Sequence, residues 1–218
     1  MKAFKRVDPG IELIDAPEYK TVLEKIEHIG RVCYKSEDKI KADSAEGFIR
    51  GIIKRGHESV IEHQNITVKV ICDRGVTHEI VRHRIASYSQ ESTRYCNYAT
   101  EKHGSHITVI DPRTGFGWDL NNENDEAKYL VWFKAMADAD GHYQDMLKLG
   151  AKPEEARSVL PNSLKTELVM TMNLREWRHF IRLRGSRAAH PQMREVAQMI
   201  GKEFAERYPV FFEDLMEG

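Results

Sequence analysis

Apolar residues recur at three-and-four spacing in the first part of the chain, and they define its first helix. Val22, Ile26, Ile29 and Cys33 form one stripe after Pro17, which predicts an amphipathic helix running to about Tyr34. A second helix begins at Asp43 or Ser44, where Asp43 and Glu46 resemble a capping box and Phe48, Ile49, Ile52 and Ile53 supply the buried face. Gly56 is its expected left-handed stop, which leaves His57 just past the helix end. From Asn65 the period changes to two. Ile66, Val68, Val70 and Cys72 alternate with Thr67, Lys69 and Ile71, predicting a half-buried strand ended by a turn at Asp73-Arg74-Gly75.

Beyond that turn, Val76, Ile80 and Val81 predict a short helix carrying Arg82, His83 and Arg84 at its C-terminal end, followed by a serine-rich loop. His106 to Ile110 has the pattern of a strand, and Asp111 to Asn124, with Pro112, Gly115 and Gly117, that of a polar loop. A long helix extends from about Asp125 to Leu149 with Leu130, Phe133, Met136, Tyr143 and Leu147 toward the core, and Gly150 ends it. Pro153 to Arg157 is a brief helix with proline in its first turn and two acids where the helix dipole favours them. Thr166, Leu168, Met170 and Met172 alternate with Lys165, Glu167 and Thr171; strand is preferred there, with helix a close competitor. Asn173 and Glu176 can cap the next helix, which buries Leu174, Trp177, Phe180 and Ile181 and turns Arg175, Arg178, Arg182 and Arg184 elsewhere. A last helix runs from Pro191 to about Tyr208 through Val196, Met199, Ile200 and Phe204.

Composition narrows the class. With 218 residues the chain suits one domain with a substantial core. Its 33 Lys and Arg against 34 Asp and Glu leave a formal charge of -1, which argues against a generally basic nucleic-acid binder. No apolar run approaches the roughly 20 residues that span a bilayer, and the N-terminus lacks an apolar signal core, so a soluble, cytoplasmic protein is expected. Cys33, Cys72 and Cys96 are widely spaced with no CxxC pair, which suits reduced thiols placed for packing.

Positive charge is concentrated rather than spread. Arg82-His83-Arg84-Ile85-Ala86-Ser87-Tyr88-Ser89-Gln90-Glu91-Ser92-Thr93-Arg94-Tyr95 gathers guanidiniums and hydroxyls that need partners, and an anionic phosphate or carboxylate ligand would supply them. The alternative is a solvated loop with surface ion pairs worth under about 1 kcal/mol each. A second cationic group, Arg157, Arg175, Arg178, Arg182, Arg184 and Arg187, lies in the C-terminal third, where an exposed helix face is the ordinary expectation. His57 and His63 stand six positions apart, about 240° around a helix, and so do not form a His-Glu-x-x-His metal motif. No GxGxxG, Walker loop or nucleophile elbow is present.

Arg82-His83-Arg84, seven residues, then Ser92 resembles the signature of the flavin-dependent thymidylate synthases, and Arg94 and Tyr95 extend the match. The resemblance continues through His57-Glu58-Ser59-Val60-Ile61-Glu62-His63, Ala156-Arg157-Ser158-Val159-Leu160-Pro161, and Asn173 to Arg184 and His190, in the right order and with compatible spacing. It implies an α/β (α+β) subunit, a mixed sheet flanked by helices, folding as one domain over 1–218 and assembling as a homotetramer with active sites at subunit interfaces. It also implies synthesis of dTMP from dUMP with methylenetetrahydrofolate as carbon donor, FAD as redox cofactor and NADPH as reductant, with neither nucleic acid nor membrane as partner.

By family position, His57, Ser59, Glu62, Arg82, His83, Arg84, Ile85, Asn173, Arg175, His179 and His190 are expected around the flavin. Glu79, Gln90, Glu91, Ser92, Arg94, Arg157 and Arg184 are expected around dUMP, with Arg184 and Ser92 assigned to catalysis and no metal. Cys33, Glu79, Gln90 and His179 depart from residues that some relatives carry, and about two residues are inserted before His190. The resemblance implies that reduced flavin, not an enzyme cysteine, makes methylation of uracil feasible, leaving orientation and electrostatics to the protein. Arg184 would stabilise negative charge on the pyrimidine, and Ser92 suits anchoring and polarisation better than nucleophilic attack. Two other classes compete with this reading: a nucleic-acid-binding module using the arginines for phosphate, and a metal hydrolase built on His57, His63, His83 and His190.

Overall fold

The structure is a computed structural model that describes residues 4–216. In chain order it contains β1 (Lys5–Val7), β2 (Gly10–Asp15), α1 (Tyr19–Tyr34), α2 (Ala45–Lys54), β3 (Asn65–Asp73), α3 (Arg74–Ile80), β4 (Ser87–Gln90), β5 (Thr108–Ile110), α4 (Arg113–Phe116), α5 (Glu123–Lys148), α6 (Pro153–Ala156), β6 (Lys165–Asn173), α7 (Leu174–Arg184), α8 (Pro191–Arg207) and α9 (Pro209–Phe212). Four strands form one sheet in the order β2-β3-β6-β4, and β1 pairs in parallel with β5, Arg6 opposite Val109. The expected combination of sheet and flanking helices is observed, with the strands divided between two sheets.

Contacts divide the chain into two compact units, and β3, β4 and β6 contribute residues to both. The first comprises residues up to Gly10, Val70–Arg82 and Ser89–Leu168. Its core is Tyr98, Ile107, Val109, Met136, Tyr143, Ala156 and Leu164. Asn122 caps α5 by accepting from the amides of Asn124 and Asp125 at 3.0 and 3.2 Å, and three acids in its first turn complement the helix dipole. The buried stripe of α5 is Tyr129, Met136, Asp140 and Tyr143, whereas Leu130 is 58% exposed and Phe133 also faces outward. The sequence pattern placed the core face one residue off at its N-terminal end. Asp140 is tolerated inside because it accepts from His106 Nδ1 at 2.7 Å and the Ile107 amide at 2.8 Å.

The second unit comprises Ile11–Lys69, His83–Tyr88 and the chain from Val169 onward. Its core joins Val22, Ile26, Ile49, Ile52 and Ile61 to an aromatic group, Trp177, Phe180, Phe204, Phe211 and Phe212. Trp177 meets Phe180 and Phe204 edge to face, and its Nε1 donates to the Ile66 carbonyl at 3.1 Å, so the ring is buried without stranding its polar atom. Arg178 is equally buried, which corrects its expected place on an exposed face. Its guanidinium donates to both carboxylate oxygens of Asp214 at 2.7 Å, to Glu58 at 3.3 Å and to the Phe211 carbonyl. Cys33, expected on the buried stripe of α1, is exposed.

Further differences are local. The predicted turn at Asp73 is the N-cap of α3, its Oδ1 accepting from the Val76 amide at 2.7 Å, and α3 ends at Ile80, before Arg82. Ser44, not Asp43, is the N-cap residue of α2; its hydroxyl serves Lys41 and Glu27 instead of the helix. Part of the expected serine-rich loop is strand β4, and 165–173 is strand rather than helix. The short strands β1 and β2 have no strong alternation to betray them.

Candidate active site

The arginine-rich segment leaves α3 at Ile80 and places two exposed guanidiniums, Arg82 and Arg84, on either side of a buried imidazole, since His83 is 5% exposed. In the second unit α7 supplies the groups that surround His83. Asn173 opens that helix by accepting from the Glu176 amide at 2.9 Å. The Glu176 side chain does not turn back to complete a capping box. Its Oε1 lies 3.0 Å from His83 Nδ1, while Arg184 Nε donates to His83 Nε2 at 3.1 Å. His179 and Phe180 pack against the imidazole with centroids 5.4 and 4.9 Å away, and the Tyr88 hydroxyl donates to the His83 carbonyl at 2.7 Å.

A guanidinium can only donate, so His83 Nε2 must present its lone pair to Arg184 and the ring proton must sit on Nδ1, facing Glu176. Burial lowers the His83 pKa, Arg184 and His179 add to that effect, and Glu176 opposes it. His83 is therefore a neutral ring with both nitrogens engaged. Candidate metal-ligand atoms of His83, Glu176 and His179 lie within 4.8 Å of one another, yet neither nitrogen of His83 has a lone pair left to donate to an ion.

Beside this group opens a cleft of about 430 Å³ lined by Glu58, Glu62, Ile85, Asn173, Arg175, Glu176, His179 and Arg182. Arg175 pairs with Glu62 at 2.5 Å and, more loosely, with Glu58 at 3.7 Å. Ile85 is 67% exposed, an apolar surface left open at the edge of a polar cleft. The donors in this lining are of the kinds a flavin nucleotide needs: guanidiniums for phosphate in Arg182 and in Arg175 once it leaves Glu62 and Glu58, polar groups for a heterocycle edge in Asn173 and His179, and an apolar face in Ile85. Outside the cleft, exposed His57 bonds the Tyr34 hydroxyl through Nδ1 at 2.5 Å, Ser59 is exposed in the turn that follows, and exposed His190 precedes Pro191 as the N-cap residue of α8.

The first unit holds the other expected residues. The Ser92 hydroxyl accepts from the Arg94 amide at 3.3 Å, and Thr93 accepts from Arg157 at 3.4 Å. Arg94 lies 3.7 Å from Glu154 and over the Tyr95 ring at 5.4 Å. The Gln90 amide donates to Thr77 at 3.1 Å and Thr166 at 3.3 Å. Glu91 accepts from Lys165 at 3.1 Å and the Tyr98 hydroxyl at 2.9 Å; burial, reinforced by Glu91, pushes the Tyr98 pKa up. Glu79 is half-buried on the last turn of α3.

Of the residues now seen at the second-unit site, Glu58, Glu176 and Arg182 had not been singled out as ligand contacts. A signal for Glu176 existed: Glu176, Phe180 and Arg184 recur every four residues on one side of α7. The capping-box pattern gave Glu176 a sufficient local reason to be there and hid the other.

Fold and site together define a protein of mixed α and β structure whose cleft offers arginine, amide and histidine donors beside carboxylates. The family model described as thymidylate synthase complementing protein matches residues 12–210. Among curated relatives, the flavin-dependent thymidylate synthase of Pyrococcus abyssi is 37% identical over 79% of this chain and 68% of its own length. That of Pyrococcus furiosus is 35% identical over 84% and 71%, and that of Mycobacterium tuberculosis 34% identical over 87% and 78%. A solved UMP/dUMP methylase, PolB from Streptomyces cacaoi bound with 5-Br dUMP, superposes with a TM-score of 0.78 at 26% identity, covering 98% of this chain and 97% of that one. The chain belongs to the flavin-dependent thymidylate synthase family.

Proposed function

We propose that this chain methylates dUMP to dTMP, with methylenetetrahydrofolate as carbon donor, NADPH as reductant and FAD as its resident cofactor. The observation that carries the reading is the second-unit cleft. Glu62, Ile85, Asn173, Arg175 and His179, assigned to the flavin by resemblance from three separate segments, all line it. Bound there and reduced by NADPH, the flavin would supply the hydride that the methylation requires. Arg175 and Arg182 would hold its phosphates, Ile85 its ring, and Asn173 and His179 its polar edge.

Arg184 is the group we assign to the pyrimidine carbonyls. A fixed guanidinium there stabilises negative charge on the ring, an effect of about 3 kcal/mol for comparable single donors. Ser92, Arg94 and Arg157 would anchor the nucleotide, with the arginines on its phosphate and the Ser92 hydroxyl in its hydrogen-bonding shell. No cysteine nucleophile is invoked. Cys72 is buried, and burial followed by the charge of Asp73 raises its thiol pKa well above the ordinary value.

The homotetramer and a cytoplasmic location belong to the same reading; among the described residues no helix is long and apolar enough to cross a membrane. The test is purification with FAD, followed by the visible flavin spectrum and product analysis. A flavin band that bleaches with NADPH, and dTMP formed only when dUMP and methylenetetrahydrofolate are both present, are the expected results. UMP runs alongside dUMP because the PolB methylase is described for both. A protein that cannot be reconstituted with FAD would overturn the reading.

A further inference from the structure

We propose that Glu176 and His83 are positioning residues for Arg184: Glu176 fixes the imidazole proton on Nδ1, so that Nε2 offers a lone pair that seats the Arg184 guanidinium. The proposal rests on the assignment of Arg184 to the pyrimidine. It concerns the atoms behind that residue, which the family assignment of His83 to the flavin does not address.

The geometry permits one arrangement of protons. Arg184 Nε is a donor and cannot accept, so His83 Nε2, 3.1 Å away, cannot carry hydrogen. Glu176 Oε1 sits 3.0 Å from Nδ1 and accepts the proton that remains. The side chains of His83 and Glu176 are 3% and 11% exposed, so water competes little for these bonds and their orientation counts for more than it would at the surface. His179 and Phe180 brace the ring faces and the Tyr88 hydroxyl ties down the main chain of His83. A guanidinium is planar, so a bond at Nε fixes the direction of both terminal nitrogens. Those are the atoms that would meet a pyrimidine carbonyl.

Without the Glu176 acceptor only the Arg184 donor itself still favours a proton on Nδ1, so the Nε2-H tautomer gains population. The Nε2-H tautomer then points a hydrogen at Arg184 Nε and drives the guanidinium off. Aspartate orients histidine in this way in hydrolase triads, but the element oriented here is an arginine.

Two measurements test the proposal on the full chain with FAD added. The first needs no turnover: 15N spectra of histidine-labelled protein should show the His83 ring protonated at Nδ1 with a bare Nε2 in the wild type. Glu176→Ala should shift it toward the Nε2-H tautomer. The second is a double-mutant cycle on kcat for dTMP formation. Glu176→Ala should lower kcat by about ten- to a hundredfold, the scale of an angstrom-sized misplacement of a catalytic group. It should cost nothing further in an Arg184→Ala background. Glu176→Gln keeps an acceptor for Nδ1-H, and should retain most of the activity and the wild-type tautomer. It also keeps the test alive if the alanine variant does not fold.

An equal loss from Glu176→Ala in both backgrounds, or a wild-type ring protonated at Nε2, would overturn the relay. Wild-type turnover by Arg184→Ala would instead overturn the role of Arg184, and with it the purpose of the relay. An Nδ1-H ring in that same preparation would show that this failure lies with the arginine assignment and not with the contacts.

Discussion

The two terminal nitrogens of Arg178 each meet an oxygen of Asp214 at 2.7 Å, a bidentate pair that draws the end of the chain onto α7. Arg178 is almost fully buried and Asp214 about half exposed, so the partners carry unequal risk. Asp214→Ala leaves a buried guanidinium with only Glu58 and the Phe211 carbonyl. We expect a loss of about 1–3 kcal/mol, below the usual value for breaking a buried pair because those partners remain, read from urea unfolding. Burial tends to raise the Asp214 pKa, but the bonds from Arg178 prevail and hold it below the ordinary carboxylate value. A depressed acid contributes stability above its unfolded pKa and loses it as pH falls through the folded one. Stability should therefore drop on acidification below about pH 4, and more steeply than in Asp214→Asn.

His83 works in the same direction at a higher pH. Its folded pKa lies below 6.5 because of burial, with Arg184 and His179 adding to the effect and Glu176 opposing it. The unfolded chain then binds the proton more readily, so the stabilising contribution is complete above about pH 6.5 and is lost as pH falls toward the folded value. Melting temperatures measured between pH 7 and 5 should fall for the wild type. In His83→Gln the slope over that interval should be shallower, whatever the starting stability; an unchanged slope would mean that another group titrates there.

Two glycines in helices should respond oppositely to alanine. A Cβ on Gly30 would lie 2.5 Å from Phe48 Cε1 and 3.2 Å from Val60 Cγ1, and Phe48 is itself covered by the Arg31 guanidinium at 4.3 Å. Overpacking costs about 1–3 kcal/mol, more than the roughly 1 kcal/mol of helix propensity gained, so Gly30→Ala should destabilise. At Gly47 nothing lies within 4 Å of a Cβ, and Gly47→Ala should stabilise by about 0.5–1 kcal/mol. Paired thermal melts decide both signs.

These contrasts show what was legible in the sequence. Strands β3 and β6 and helices α7 and α8 carry clean apolar periods, and most of the apolar residues are buried where the periods put them, Met199 of α8 being only partly covered. Arg178 could not be placed by period alone, because an arginine goes inside only when partners distant in sequence, Glu58 and Asp214, meet it there. The faces of α5 were misjudged for a related reason: Asp140 is buried by bonds to His106 and Ile107, while Leu130 is left outside. At the site, the flavin set was legible as a resemblance, and five of its eleven residues, Glu62, Ile85, Asn173, Arg175 and His179, line one cleft, while His57, Ser59 and His190 stand outside it. The contact of Glu176 with His83 was not, since 93 positions separate them and the cap gave Glu176 an adequate local role.

Ser92 separates anchoring from nucleophilic attack. Its hydroxyl accepts from the Arg94 amide at 3.3 Å, a bond that orients the loop and gives the oxygen no base to take its proton. Close by in sequence, Arg94 makes an exposed pair with Glu154 at 3.7 Å, worth under about 1 kcal/mol, and lies over the exposed Tyr95 ring, so a phosphate can recruit it at little cost. Arg157 is likewise exposed and loosely bound to Thr93. Ser92→Ala should therefore still form dTMP, with a raised KM for dUMP and kcat within about tenfold of the wild type, since one neutral hydrogen bond of about 1 kcal/mol is lost. Arg94→Ala and Arg157→Ala should raise KM further, because each removes a charge-assisted contact, and should leave kcat at saturating dUMP largely intact. Initial rates over a range of dUMP concentrations, with flavin content matched between variants, give both constants. A Ser92→Ala enzyme that binds dUMP normally and makes no product would require a nucleophilic or proton-transfer role for the hydroxyl.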